Sequence, residues 1–346
     1  MKKLVLSLSV LACLVAFNAC STDVELYAGY KDIPVVYGLL DASQDTNYVR
    51  INRAFSGNNE HPINANEVAL IADSSNYPGK LEAYIVKYKV KYGNELEATD
   101  TLQLDTITVR DKTPGMFYAP DQKVYFTDKP LSGNNTADNY LFKLFIFKDN
   151  DTVTSETGLV GGQDFKIVTS QLSFTPVISD ETRKIMFTLA DNAVFYDLSF
   201  SFHYRESLNG GPMTDKQVSY SFGAKTLEEL GKDGDLYFFT YSENLLFSLL
   251  ETAIGADTVV DANHPNVVRH FDPKPITLTL AGGGDELFNY IQVNSQTGYS
   301  QTIPDYTNVN GGFGVFSSRI NLNRQIGISS AAQRGLYNMP WGFVEH

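Results

Sequence analysis

Cysteine is nearly missing from this chain: 346 residues hold two, Cys13 and Cys20. Cys13 lies inside an apolar N-terminal run. Once that run is removed no intramolecular disulfide can form, which excludes a disulfide-stapled secreted fold. Basic residues are scarce as well, 27 Lys and Arg against 40 Asp and Glu, for a formal charge of −13. Nucleic acid and anionic membrane faces both require clustered cations, so neither is an expected partner. Cationic or neutral partners suit the chain better. The five histidines, His61, His203, His264, His270 and His346, fall in no HExxH or Cys/His spacing, and no metal site is expected. A GxSxG elbow and a Walker sequence are also missing. A Ser/His/Asp triad could still be assembled from distant residues, because such sites are geometric, but nothing points to one. The expectation is a non-enzyme with no catalytic, cofactor-binding or metal-binding residue.

Two acidic stretches fit turns better than ions. "KDNDT" (Lys148–Thr152) and "GKDGD" (Gly231–Asp235) each supply two carboxylates. Neither continues into the spaced ligands and terminal Glu of a calcium loop, whereas Asp, Asn and Gly are what tight turns favour.

Long apolar runs are confined to the N-terminus. Lys2 and Lys3 precede an apolar segment from Leu4 to Phe17, broken by Ser7 and Ser9. About 20 residues are needed to span a bilayer, so this run is too short, but it fits a secretory signal. Phe17-Asn18-Ala19-Cys20 resembles a bacterial lipobox. Residues 1–19 are therefore read as a lipoprotein signal peptide, cut after Ala19, with Cys20 as the lipidated new N-terminus. The simpler alternative is an ordinary signal peptide beside a chance cysteine. Acylation also accounts for an otherwise lone thiol, and multiple acyl chains anchor a protein stably. Loss of Lys2 and Lys3 with the signal takes the formal charge from −13 to −15. Residues 20–32 form a short polar tether whose ~12 residues reach only ~40 Å when fully stretched.

What the chain has in quantity is alternation. With 43% hydrophobic and 12% aromatic residues, it can bury a large core without cross-links. In "LEAYIVKYKVKYG" the residues Tyr84, Val86, Tyr88, Val90 and Tyr92 share one face, with Lys87, Lys89 and Lys91 on the other. In "VFYDLSFSFHY" a stripe runs Val194, Tyr196, Leu198, Phe200, Phe202, Tyr204. "NYLFKLFIFKDNDTVTSET" reads as a hairpin turning at Asp149–Asp151. Further strands are predicted over Pro34–Leu40, Tyr48–Phe55, Leu104–Val109, Val124–Thr127, Phe165–Thr169, Ile185–Leu189, Val218–Phe222, Leu236–Thr240, Ile276–Leu280 and Gly314–Ile320. Two helices are predicted, one after Ser242 as N-cap and ending at Gly255, and one from Asp285 to about Asn294. The fold class is mainly β: an Ig-like β-sandwich over 33–160, then a second β-rich domain over 163–340, divided near Gly161-Gly162. Most of the 20 tyrosines and 22 phenylalanines, and Trp341, could line a carbohydrate or hydrophobic site, but inter-sheet packing is the favoured employment.

Three consecutive glycines, Gly282-Gly283-Gly284, precede the second helix, as in phosphate cradles. Asp285 and Glu286 fill the first turn and would repel a phosphate, and no Lys follows the glycines. Asp285 is read as a cap and the glycines as a flexible connector. In "NVNGGFGVF" (Asn308–Phe316) the glycines lead into a strand and are read as a bulge or a close backbone approach.

These stretches carry a resemblance. "DELFNYIQVNSQTGYSQTIPDYTNVNGGFGVFSS" (Asp285–Ser318) and "IPVVYGLLDASQDTNYVRINRAFSG" (Ile33–Gly57) resemble the two ends of a group of Bacteroidetes outer-membrane lipoproteins, a DUF4249-like family of unknown function. The resemblance implies an outer-membrane lipoprotein, often associated with a TonB-dependent transporter. No catalytic residues carry over. Asp23 and Glu25 resemble the phylum's surface-export signal, which implies the cell surface. The leading expectation is a lipid-anchored, non-enzymatic binding accessory of nutrient uptake. A structural adhesin or fimbria-like subunit is the alternative, and a surface hydrolase is a third class.

Overall fold

The computed structural model describes residues 32–54, 76–110, 121–131, 140–178, 180–254, 266–295 and 306–345. Ala19, Cys20 and the tether before Asp32 lie outside the described residues, as do Phe55, His61, Gly255, His264 and His346. The fold is mainly β. The first region contains β1 (Pro34–Asp41), β2 (Asn47–Arg53), β3 (Glu82–Val90), β4 (Leu96–Gln103), β5 (Asp105–Val109), β6 (Gln122–Thr127), β7 (Tyr140–Lys148) and β8 (Asp151–Gly158). The second contains β9 (Gln171–Leu172), β10 (Thr182–Phe187), β11 (Phe195–Leu208), β12 (Thr214–Thr226), β13 (Gly231–Asp233), β14 (Leu236–Ser242) and helix α1 (Leu245–Ala253). It continues through β15 (Val267–His270), β16 (Ile276–Gly283), α2 (Asp285–Ser295), β17 (Phe313–Ile328) and α3 (Ser330–Asn338).

The two regions are joined through one sheet, in the order β12-β11-β16-β17-β1-β2-β6-β5. Its central seam is parallel: β1 runs beside β17, with Val36 opposite Gly314 and Gly38 opposite Phe316. The two stretches that carried the resemblance are therefore neighbouring strands. Their glycines are steric necessities. A Cβ on Gly314, whose φ is +107°, would stand 1.9 Å from the Val36 carbonyl oxygen, and one on Gly38 would stand 2.8 Å from the Phe316 ring. The close approach read from "NVNGGFGVF" is what the chain makes.

Two cores pack along this sheet, and apart from Val309 and Phe316 they divide in sequence between Leu159 and Val160. The first lies between β1–β2–β6 and the sheet β4-β3-β7-β8, and holds Val36, Leu40, Ile85, Phe142 and Leu144. Val309 and Phe316, from the far end of the chain, complete it. The second core is aromatic: Tyr196, Phe200 and Phe202 of β11 pack with Phe187 of β10, Phe239 of β14 and Leu246, Phe247 and Leu250 of α1. The Tyr196–Tyr204 stripe faces inward, as its alternation predicts. Trp341 is buried too, its ring 6.0 Å from Phe247. Arg269 is fully buried, where its Nε and Nη2 bond Glu206 Oε2 at 2.9 and 2.5 Å and Nη1 bonds the Trp341 carbonyl.

Several local expectations need correction. Of the two faces of β3, the one carrying the lysines turns inward: Ala83, Ile85 and the stem of Lys87 face the core, and Tyr84 packs outside on Phe145 and Phe147. Lys87 escapes burial of its charge by placing Nζ 3.9 Å over the Tyr140 ring. Phe165–Thr169 forms no strand, only a bridge from Ile167 to Phe187, because the Thr169 hydroxyl takes the Met186 N–H a paired carbonyl would use. Ser242 is not a cap. It is still paired with Thr182 in the sheet, so α1 starts two residues later with Asn244 as its cap residue. A third helix, α3, was not predicted; Gly335 obscured its period. That glycine is required, since a Cβ there would lie 2.8 Å from the Phe247 ring. Among the described residues no helix is long and apolar enough to cross a membrane.

Candidate functional site

Gly282 and Gly283 are not a flexible connector. They are the buried last residues of β16, and a Cβ on Gly283 would sit 2.3 Å from the Phe195 ring. Asp285 is the first helical residue of α2, not its cap; the cap position falls to Gly284, whose carbonyl accepts from Phe288 N–H at 3.1 Å. The positive end of the helix is filled from within the protein. Leu287 N–H donates to Ser317 Oγ at 3.1 Å. Glu286 Oε2 accepts from Thr157 of β8 at 2.9 Å and from Ser317 of β17 at 3.1 Å. Those contacts lay α2 on the outward face of the seam, opposite the first core.

Asn308 secures the same corner. Its Nδ2 donates to the carbonyls of Phe316 (2.7 Å) and Glu156 (3.2 Å), and its Oδ1 accepts from Phe316 N–H at 2.9 Å. One amide thus satisfies both backbone groups of Phe316 and ties β8 to β17.

Between α2 and the outward face of β1–β2 lies a groove of about 520 Å³, within the roughly 300–1,000 Å³ usual for small-ligand sites. Alternation along β1 places Val36, Gly38 and Leu40 toward the core and Tyr37, Leu39 and Asp41 toward the groove. Tyr37 and Tyr48 are 41% and 50% exposed, far more than packing residues of their size. Tyr290 of α2 meets Tyr37 edge-on, with centroids 6.1 Å apart and planes at 77°, and Leu287 and Val315 supply apolar floor.

The polar end is built on Asp41, which is 3% exposed. Its Oδ1 accepts from Ser43 N–H (3.0 Å) and Ser43 Oγ (2.5 Å), and its Oδ2 from Asn321 Nδ2 (2.7 Å). Arg319 Nε stands 3.7 Å from Oδ2. The Asp41 N–H donates to Asn47 Oδ1 at 2.6 Å. Asn47 is itself only 3% exposed and lines the groove, yet its Nδ2 has no partner among the described residues. A buried amide donor left open is uncommon, and this one has room for an acceptor from beyond the described residues.

None of the groove residues was singled out from sequence. The available signal was the unbroken apolar run "PVVYGLL": when both phases of a strand's alternation are apolar, both faces are covered. His203, exposed on β11, and His270 of β15 lie on strands remote from the groove, and no group of three potential metal ligands occurs among the described residues. Both acidic stretches are turns, with Asp149 (φ +50°) and Gly234 (φ +62°) in left-handed conformation. The largest proton-affinity shift is also structural. Burial pushes the Tyr196 phenol well up, against the opposing hydrogen bond to Ala190. No protein-family model matches the chain, and no curated protein matches it either.

Proposed function

We propose that the protein is a non-enzymatic, lipid-anchored binding protein of the outer membrane, facing the cell surface and serving as an accessory of a TonB-dependent uptake system. The anchor reading rests on the lipobox-like sequence ending at Cys20 and on the resemblance at both ends of the chain. The observation that carries the binding reading is the groove, with its exposed tyrosines and open Asn47 amide. The one carboxylate among the groove's described lining residues, Asp41, is engaged by donors on both oxygens, which leaves no free carboxyl there to serve as general acid or nucleophile and weighs against the hydrolase class. β12, an edge of the large sheet, carries Lys216 and Lys225 and an irregular register opposite Leu198/Ser199; charges and bulges on an edge discourage strand donation, which weighs against the fimbria-like alternative.

The chain enters the described body at Asp32, beside the N-terminal end of β1, while the groove lies around its other end. Pro34 to Asp41 spans ~23 Å at ~3.3 Å per residue, so the tether leaves from the end remote from the groove. Crosslinking in intact cells followed by affinity purification tests the reading. A TonB-dependent transporter should co-purify with the wild type and be lost with Cys20→Ala, which releases the protein from the membrane. Absence of any transporter from the wild-type sample would sink it.

A further inference from the structure

Resting on the reading of the groove as a binding site, we infer that its ligand is a neutral pyranose, presented as a short oligosaccharide. Three features of the groove converge on that class. The walls offer exposed aromatic rings, Tyr37 and Tyr48, and the Tyr37–Tyr290 pair forms a corner with one ring edge-on to the other. A pyranose has an apolar C–H face that packs on such rings and a rim of hydroxyls pointing outward from it. The polar end then meets that rim: the buried Asn47 Nδ2 lacks an acceptor among the described residues, and a sugar hydroxyl is both acceptor and donor.

Charge decides against an acidic ligand. Arg319, the one cation among the described residues lining the groove, already faces the carboxylate of Asp41, so that pair is close to neutral, and Arg50, opposite Tyr37 on β2, turns its guanidinium to Asn52. The surrounding protein is strongly negative, at −13 for the whole sequence, and repels anions at long range. Backbone pairing decides against an extended peptide. β1 is bonded along one edge to β2 and along the other to β17, so the groove floor has no free strand edge for a peptide to join. A neutral, ring-shaped, polyhydroxylated ligand meets each condition.

The test is calorimetric titration of the full-length protein with maltotetraose, cellotetraose and mannotetraose, and in parallel with tetragalacturonate. Saturable binding of at least one neutral tetrasaccharide is expected, weakened about tenfold or more by Tyr48→Ala. Tyr48 is half exposed, so that variant keeps its fold, which circular dichroism verifies. Asn47→Asp retains the oxygen that accepts from Asp41 and removes the open donor; it should also weaken binding. Tighter binding of tetragalacturonate, abolished by Arg319→Gln, would overturn the neutral class while leaving the groove as a ligand site. No binding by any neutral sugar, or binding indifferent to Tyr48→Ala, would overturn the inference. The transporter crosslink is read separately, so its loss refutes the uptake reading and its persistence beside failed titrations refutes the sugar class alone.

Discussion

The two ends of the β1–β17 seam are alike in backbone and differ in how their polar groups are satisfied. Each end opens into a cleft beside an ion pair. At the entry end the cleft measures about 460 Å³ and is lined by Asp32, Lys148, Asp151, Gly311 and Gly312. There Lys148 Nζ bonds Asp32 at 2.9 Å and both side chains are mostly covered, so the pair fastens the incoming chain to the β7–β8 hairpin. At the far end the ion pair is longer, 3.7 Å between Arg319 and Asp41. Exposed tyrosines surround it, with an amide that has no partner among the described residues. Cavity size therefore does not separate the two ends. The distinction lies in whether polar groups are satisfied within the chain.

The most damaging way to break the comparison is to break the seam both ends share. Gly314→Ala would force a Cβ against the Val36 carbonyl at a φ few side chains adopt. Strain and overpacking together should cost about 3 kcal/mol or more. A thermal melt within about 1 °C of wild type would show that the parallel pairing is not as tight as described.

Alkali should distinguish the two cores that the seam joins. Burial raises the phenol of Tyr125 in the first core and of Tyr196, Tyr204 and Tyr241 in the second. A raised folded-state value means that the stability contributed is fully present below the unfolded value of about 10, and is lost as pH climbs toward the folded value. Melting temperature should thus fall above about pH 10, with the second region opening first, as seen by hydrogen exchange. Tyr196→Phe should flatten that fall, at a cost of about 1 kcal/mol near neutrality for the lost bond to Ala190. An unchanged alkaline slope in that variant would contradict the assignment.

Loosening α2 sharpens the comparison at one end only. Glu286→Ala removes the acceptor shared by Thr157 and Ser317 and should cost about 1–3 kcal/mol. Since α2 carries Tyr290 and Leu287, the variant should also weaken the groove's ligand binding while the Asp32–Lys148 end stays protected from exchange. Equal loss of protection at both ends would mean that α2 is not the element that shapes the groove. Asp32→Ala removes the mostly covered ion pair with Lys148 and the bond that Asp32 accepts from Tyr77 and should cost about 1–3 kcal/mol. It should leave binding untouched, in contrast to Tyr48→Ala, which should leave stability within about 0.5 kcal/mol of wild type and remove binding.

Much of the strand order was legible because alternation is a local property. The β11 stripe and the β7–β8 hairpin follow from side-chain spacing and a turn of Asp and Asn. The β3 alternation left its core face undecided, because an aromatic face and a lysine face do not say which is inside. Lys87 turns inward by laying its ammonium on Tyr140, a ring more than fifty residues away. Cap positions slipped for a related reason: Ser242 has the chemistry of an N-cap, but pairing with Thr182 holds it in the sheet. The triple glycine misled because its demand comes from Phe195 across the sheet, which no local pattern records.

By itself the sequence determined a β-rich chain with an acidic body, a short apolar run before Cys20 and glycines where two strands meet. These follow from composition and from spacing along the chain. Only the tertiary structure decided that the strands at the two ends of the chain lie side by side, and that Tyr37, Asp41 and Asn47 share a groove with Leu287, Tyr290 and Arg319. Those groups are separated by about 240 residues or more in sequence. Their proximity rests on the parallel register of β1 with β17 and on the Glu286 contacts that seat α2 above it, and such long-range pairings leave no periodic mark in the chain.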